Sequence, residues 1–338
     1  MDGITQSLWP IRYKPLPDEL LSSWLVRLAH GHGLKVQTFC NLIFGNKRQV
    51  WNRDIDRLAP SWLIAELAQR TGTPFKSAQS TTLRAYEGLL YPKFKSTGTL
   101  AWIQTLKMYH RKREGYGMQF CSQCLREDAE PYFRKSWRVA FNTNCSKHDC
   151  MLHDRCPRCQ SAVAFHRMDV GNARIFADQS LVACHVCQFD LCKAPRVPVI
   201  WHHADAQAWL QKTEACLDTV LTASRRRNVL ERLRVMRQMT TLLTSRYVSL
   251  RLREWVCEQI DVTLIPVTQG RVAIESRPLV ERHHLVQLAA WLMTDLKPRL
   301  RKAWRGKAVR YNHMLKDFDE PPRFYAEIVA RFSDWRAN

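Results

Sequence analysis

Four pairs of metal-binding side chains stand between Cys121 and Cys187, and the two members of each pair are three residues apart. The ligand types are thiol and imidazole, and the pairs are Cys121 with Cys124, Cys145 with His148, Cys156 with Cys159, and Cys184 with Cys187. Two such ligands on a tight turn reach the same ion, and two pairs complete a tetrahedron. The spacing therefore predicts two structural zinc ions (Zn2+). Each ion would be bound by four of these residues, with no open coordination position.

Disulfide bonds are the alternative use of these cysteines. The first residues lack a secretory signal pattern, which favours metal binding in a reducing cytosol. Spacing leaves open which pairs share an ion. Joining the pairs in sequence order closes the shortest loops, whereas a cross-braced arrangement is the alternative. Neighbouring residues could also replace a ligand, namely Cys150, His153, His185 and Cys192.

The charge is strongly positive, at +21 with a pI near 9.8. A field of this sign favours a polyanionic partner, of which nucleic acid is the usual one. An anionic membrane surface competes, but the sequence carries no lipidation motif and no apolar run of the ~20 residues that a membrane span needs. An ordinary soluble basic protein is the plainer alternative.

Hydrophobic periodicity predicts a mainly α fold with small zinc-ribbon β elements. We expect an N-terminal helical, helix-turn-helix-like domain over 1–110, a tandem zinc-binding region over 111–200 and a C-terminal helical domain over 201–338. In the first domain, apolar spacing predicts helices over about 19–30, 36–44, 61–70 and 75–88. A plain helical hairpin is the alternative to each helix-turn-helix.

Exposed polar faces on these helices are the expected contact surfaces. The last N-terminal helix is expected to expose Thr81, Thr82, Arg84 and Tyr86. The first helix is expected to offer Ser23, Arg27 and His30 to a protein partner. A strand over about 136–143 should lead into Cys145.

The C-terminal part reads as helices over about 204–221, 225–244 and 279–296, with a break at 297–299. Its basic clusters are candidate phosphate contacts, and a solvated basic face is the alternative. The candidates are Arg225, Arg226, Arg227, Arg301, Lys302, Arg305 and Lys307.

Several of these motifs occur together in one known family. The stretch from Pro17 to Ala29 (PDELLSSWLVRLA), the run from Cys121 to Asp128 (CSQCLRED), Trp137, and the pairs CSKH and CPRC resemble the TniQ family. The resemblance is specific over about residues 15–160. Ser122, Ser146 and Asp149 depart from the family's usual residues without touching a ligand.

The resemblance implies a non-catalytic, TniQ- or TnsD-like adaptor that selects the target site of a DNA transposon. Such an adaptor binds target DNA, or docks on an RNA-guided CRISPR Cascade complex, and recruits a TnsC- or TniB-like AAA+ regulator. It would act in the bacterial cytoplasm at the nucleoid. A homodimer is a further assembly that the sequence leaves open.

Catalytic motifs are missing from the sequence. It contains no HExxH, no phosphate-binding loop and no GxSxG, and a catalytic zinc would need an open position. The alternatives to the adaptor are a stand-alone zinc-containing DNA-binding transcription regulator, a zinc-ribbon RNA-binding protein and, least favoured, a zinc hydrolase.

Overall fold

The computed structural model describes residues 7–45, 50–106, 115–168, 170, 181–245 and 251–332. The chain separates into two compact units, and regular structure in the described part is mainly helical. The N-terminal unit comprises 1–87, 94–98 and 103–199, and the C-terminal unit comprises 88–93, 99–102 and 200–338. The three-domain division stays a prediction. Among the described residues, no helix has both the length and the apolarity to cross a bilayer.

The described residues of the N-terminal unit form short helices and one β-hairpin. The helices are α1 (Leu21–Gly31), α2 (Val36–Phe44), α3 (Ile55–Leu58), α4 (Ser61–Thr71), α5 (Phe75–Ser80) and α6 (Ser122–Glu127). The hairpin pairs β1 (Asn144–Cys145) with β2 (Cys150–Met151) in antiparallel register. Four single 3-10 turns also lie in the described residues of this unit, at Leu83–Tyr86, Ser136–Arg138, Phe165–Arg167 and Leu191–Lys193.

Helix α1 is buried on nearly every face, polar residues included. Ser23 is fully buried, and its hydroxyl donates to Glu19 (2.9 Å) and accepts from the backbone N–H of Phe133 (3.0 Å). Arg27 is 5% exposed and pairs with Glu19 at 2.8 Å and with Glu130. The expectation that Ser23 and Arg27 form a partner surface is therefore wrong, because both tie α1 to the chain before Cys145.

The helix expected over 75–88 is longer than the observed helix α5. Helix α5 ends at Ser80 because the hydroxyls of Thr81 and Thr82 donate to the carbonyls of Ala78 and Gln79, at 2.7 and 2.8 Å. Such side-chain bonds compete with continuation of the helix. Thr81, Thr82 and Tyr86 are also buried rather than exposed. The helix-turn-helix stays a prediction, but these three side chains cannot be its reading face.

The strand expected over 136–143 is also wrong. Residues Ser136–Arg138 form a 3-10 turn, and the stretch is held by a buried guanidinium instead of a strand ladder. Arg138 is 0% exposed and donates to Asp54 (2.6 Å), Asp56 (3.3 Å) and the carbonyl of Gln104 (3.0 Å). This cluster fixes the segment that delivers Cys145.

The C-terminal unit is built around α10, whose inner residues are fully buried. Its helices are α7 (Ala204–Asp218), α8 (Ala223–Leu243), α9 (Leu252–Gln259), α10 (Leu279–Thr294), α11 (Leu296–Arg305), α12 (Tyr311–Met314) and α13 (Arg323–Val329). A 3-10 turn at Ile274–Ser276 precedes α10. The predicted break lies at Asp295, between α10 and α11, and not at 297–299. Pro298 is accommodated in the first turn of α11, where backbone N–H groups have no helical partner.

Candidate metal centres

The first ligand group joins the start of α6 to the β1–β2 hairpin. Cys121 is the N-cap of α6, and Cys124 lies in its first turn. Cys145 ends β1, and His148 lies in the turn to β2, which Asp149 closes with a φ of 44°. The four ligand atoms lie within 4.8 Å of one another. The structure thus joins the first two sequence pairs.

Donor spacing in this group matches that around a single zinc ion. Cys124 Sγ lies 3.6 Å from Cys145 Sγ, and His148 Nδ1 lies 3.3–3.4 Å from the sulfurs of Cys121, Cys124 and Cys145. Tetrahedral zinc with bonds of ~2.3 Å to sulfur and ~2.0 Å to nitrogen separates two sulfurs by about 3.8 Å and sulfur from nitrogen by about 3.5 Å. Three thiols and one imidazole at these distances fit a closed structural site.

His148 is oriented by an acidic partner outside the group. Its Nε2 atom lies 2.9 Å from Glu127 Oε2, and Lys147 donates to the same oxygen at 2.9 Å. These contacts leave Nδ1 facing the sulfurs. A carboxylate that accepts the second ring N–H is the usual way a metal-binding histidine is held in one tautomer. The hydrogen bond with His148, followed by that with Lys147, lowers the pKa of Glu127.

The second ligand group joins the last two sequence pairs and contains only thiols. Cys156 Sγ lies 3.6 Å from Cys187 Sγ, and Cys159 Sγ lies 3.6 Å from Cys184 Sγ. All four sulfurs lie within 4.8 Å of one another. Four thiols at this spacing suit a tetrahedral Zn2+ site whose ligands are all cysteines.

Both pairs of the second group sit on the same kind of turn. The N–H of Cys156 donates to the carbonyl five residues on, and the N–H of Gln160 donates back to Cys156, both at 2.9 Å. Cys184 and Gln188 repeat these two bonds at the same distances. Gln160 and Gln188 have φ of 59° and 58°. The two turns therefore present their thiols in equivalent ways, as in a zinc knuckle.

The electrostatics of the crowded thiols also fit a cation. Hydrogen bonds with Cys124 and Cys145 lower the pKa of Cys121, whereas the contact with Cys121 raises the pKa of Cys124. Contact with Cys121 likewise raises the pKa of Cys145 to about 11. One thiolate thus makes the next harder to form, because like charges repel at this distance. A bound dication would reverse that penalty and deprotonate all the thiols.

The neighbouring residues that could have replaced a ligand lie outside both groups. His153 stacks on Phe120 and contacts the carbonyl of Pro195 at 2.9 Å. Cys192 lies in the 3-10 turn after Asp190, whose carboxylate accepts its backbone N–H. His185 lies between the two thiols of its pair without joining them. Cys150 lies next to the first group, with its Sγ 3.8 Å from Cys121 Sγ.

Two supporting residues have no counterpart in the sequence-based prediction. Glu127 lies on α6 one turn after Cys124 and orients His148. The Ser161 hydroxyl lies 3.0 Å from Cys159 Sγ and 3.4 Å from Cys184 Sγ. Although burial raises the pKa of Cys159, hydrogen bonds led by Ser161 lower it to about 6. The only sequence signal for either residue is a polar side chain within one turn of a ligand.

The predicted phosphate contacts all belong to the C-terminal unit. Arg225, Arg226 and Arg227 open α8, with Arg225 and Arg227 exposed. The helix has no acidic residue in its first turn. The second set is exposed along the end of α11 and just beyond it, at Arg301, Lys302, Arg305 and Lys307. Each set is solvent-facing and basic, and the first lies at the positive end of a helix dipole, where arginine is unfavourable by about 0.3–1 kcal/mol.

The TniQ family model matches residues 10–152. The matched segment contains α1 to α6 and all four residues of the first ligand group, and it ends before the second group and before helices α7 to α13. No protein of curated function matches the sequence.

Proposed function

We propose that this chain is a non-catalytic target-selection adaptor for DNA transposition, because residues 10–152 match the model of the TniQ family, whose members are associated with transposition. It would bind target DNA, or an RNA-guided CRISPR Cascade complex, and recruit a TnsC- or TniB-like AAA+ regulator. It would act in the bacterial cytoplasm. The family match carries this proposal, and the two ligand groups and basic helices support it.

The metal ions in this proposal are structural Zn2+, one in each ligand group. Each group supplies four protein donors and so leaves no position for a substrate or an activated water. Bound zinc would hold α6, the hairpin and the two knuckles in place. The proposed domain order is a helix-turn-helix-like part over 1–110, a zinc-ribbon part over 111–200 and a helical part over 201–338.

The first ion would also support the N-terminal helices. The N–H of Leu20 donates to the carbonyl of Phe133 (2.9 Å), and the N–H of Lys135 donates to the carbonyl of Asp18 (2.7 Å). These bonds connect the start of α1 to the segment that runs into Cys145. A partner surface on the N-terminal unit would therefore depend on metal even where no ligand touches the partner.

The basic ends of α8 and α11 would supply the nucleic-acid contacts. Exposed guanidinium and ammonium groups neutralise phosphates and give an affinity that falls steeply with salt. Keeping several arginines at the positive end of α8 is unfavourable for the helix, which supports a role in binding an anion. In a guide-complex arrangement, the same groups would face RNA phosphates.

Co-purification with the candidate AAA+ ATPase, with and without duplex DNA, tests the adaptor role. Transposition by the cognate element should lose its target preference, or fall to background, without this chain, while ATPase activity alone is unchanged. Normal transposition to the normal target without it would refute the proposal. A promoter footprint that needs no transposase would instead support a transcription regulator.

A charge-matched variant pair isolates the basic surface. One variant replaces Arg301, Lys302, Arg305 and Lys307 with Ala. Its control removes the same charge from exposed residues elsewhere in the same unit, at Lys212, Arg251, Arg271 and Arg323. Only the first variant should weaken DNA retention and transposition. Equal loss in both would mean that net charge, rather than a defined surface, drives binding.

A further inference from the structure

Cys150 places a fifth sulfur beside the first ligand group. Its side chain is buried at 2% exposure, and its Sγ lies 3.8 Å from Cys121 Sγ. It begins strand β2 directly opposite Cys145 in the hairpin register. Two residues that hold the proposed ion are thus the immediate neighbours of a thiol that is not one of its four ligands.

The position of Cys150 is compatible with coordination. Two sulfurs on one tetrahedral zinc are about 3.8 Å apart, which is the distance between Cys150 and Cys121. Directly opposed residues of an antiparallel pair have Cβ atoms roughly 4.5–5.5 Å apart on the same face of the hairpin. A change of one side-chain rotamer moves a cysteine sulfur between staggered positions, so Cys150 can turn toward the same centre as Cys145.

His148 is the ligand that such a movement would replace. It is the most exposed member of the first group and its only nitrogen donor. Its second ring nitrogen is already held by the exposed Glu127 carboxylate. If His148 left the ion, it would lose its bond to the metal but keep its hydrogen bond with Glu127. The other three ligands, Cys121, Cys124 and Cys145, would stay in place.

A fourth thiolate makes the site more negative, and the hairpin turn carries cations that offset this. Arg196 donates to the carbonyl oxygens of His148 and Asp149, at 3.1 and 3.4 Å. Lys147 lies in the same turn and contacts Glu127.

The geometry points to a first metal site with two coordination modes, in which either His148 or Cys150 completes the three-sulfur set. Softer ions favour the four-sulfur mode, because thiolate ligands select soft metals. The thiol proton of Cys150 leaves to solvent when the sulfur binds. This inference rests on the proposed metal binding of the first group.

Metal counting with Co2+ tests the exchange in the full chain. We expect two ions per chain for the native protein, for Cys150→Ser and for His148→Ala, but one ion for the double variant His148→Ala with Cys150→Ser. The matched control combines His148→Ala with Cys192→Ser, a nearby thiol outside both groups, and should keep two. One ion in His148→Ala, or two in the Cys150 double variant, overturns the inference.

A second measurement keeps the test decisive if His148→Ala does not fold. The native chain is loaded with 113Cd2+, and both resonances are expected in the four-sulfur range. In Cys150→Ser, one resonance should move to the range of three sulfurs and one nitrogen. Identical spectra for the two proteins overturn the inference. Fewer than two ions in the native chain would instead contradict the proposed pair of zinc sites.

Discussion

The buried Arg138 cluster offers a direct test of how the N-terminal unit holds the segment before Cys145. Arg138→Met keeps a similar length but removes the guanidinium that bonds Asp54, Asp56 and the carbonyl of Gln104. Asp56 is 1% exposed, so its carboxylate would lose its charge partner while it stays buried. Removing one partner of a buried ion pair typically costs about 3–5 kcal/mol.

The loss of folding stability in Arg138→Met should depend on pH in a defined direction. Burial, assisted by the nearby Asp54, raises the pKa of Asp56 from 3.8 to about 6 even with Arg138 present. Without Arg138 the folded-state pKa rises further, because the stabilising positive charge is gone. A carboxyl with a raised pKa favours the folded state at low pH and loses that contribution as pH increases. The variant should therefore be most destabilised at pH 8.5 and closer to the native protein at pH 6.

Urea unfolding of the metal-loaded chain, followed by tryptophan fluorescence at both pH values, measures the effect. Arg323→Met is the control, since the Arg323 side chain is 93% exposed and its ion pair with Glu327 should contribute under about 1 kcal/mol. Adding Asp56→Asn to Arg138→Met should recover part of the loss. A change within about 1 kcal/mol of the native value at pH 8.5, or a loss independent of pH, would refute the reasoning.

Three further outcomes are expected. Cys121→Ser and Cys156→Ser should each lose one zinc and unfold the surrounding region, because metal binding in such sites is folding free energy of ~10–16 kcal/mol in zinc-finger peptides; metal analysis that finds two ions in either variant contradicts this. Duplex DNA affinity should fall with salt by a slope of about −0.9 per neutralised phosphate, and the slope should flatten when four residues become Ala, namely Arg301, Lys302, Arg305 and Lys307. Burial lowers the pKa of His283 and His284 from 6.5 to about 4, so their contribution to stability is present above pH 6.5 and is lost as pH falls toward 4. The protection of α10 amides from exchange, relative to the intrinsic exchange rate at each pH, should fall over that range, and constant protection would contradict it.

Local spacing by itself determines much of this protein. Residues three apart on a tight turn present their side chains to one centre, so each of the four ligand pairs is predictable from the sequence alone. Apolar residues at three- and four-residue steps likewise predict the mainly helical fold, and the bounds of α2 are those expected. The TniQ resemblance, which depends on linear motifs, is confirmed over residues 10–152.

Contacts between distant segments cannot be read from spacing. The sequence leaves the joining of the ligand pairs open, since loop length alone does not say which turns meet. Helical periodicity places Ser23 and Arg27 on the polar face of α1, but Phe133 and Glu130, more than a hundred residues on, cover that face. A polar pattern shows only that a face needs hydrogen bonds.

Only the tertiary structure decides whether water or protein supplies such bonds. Thr81 and Thr82 illustrate this, because their hydroxyls end α5 and are buried instead of facing a ligand. Cys150 shows the same dependence on tertiary structure at the first metal site. Its position near the ligands in the sequence shows only that this thiol could replace one of them. In the structure, the antiparallel hairpin brings it opposite Cys145, and α6 brings Cys121 Sγ within 3.8 Å of its Sγ. The pairing of strands and helices, set by burial of their apolar faces, fixes which sulfurs share one centre.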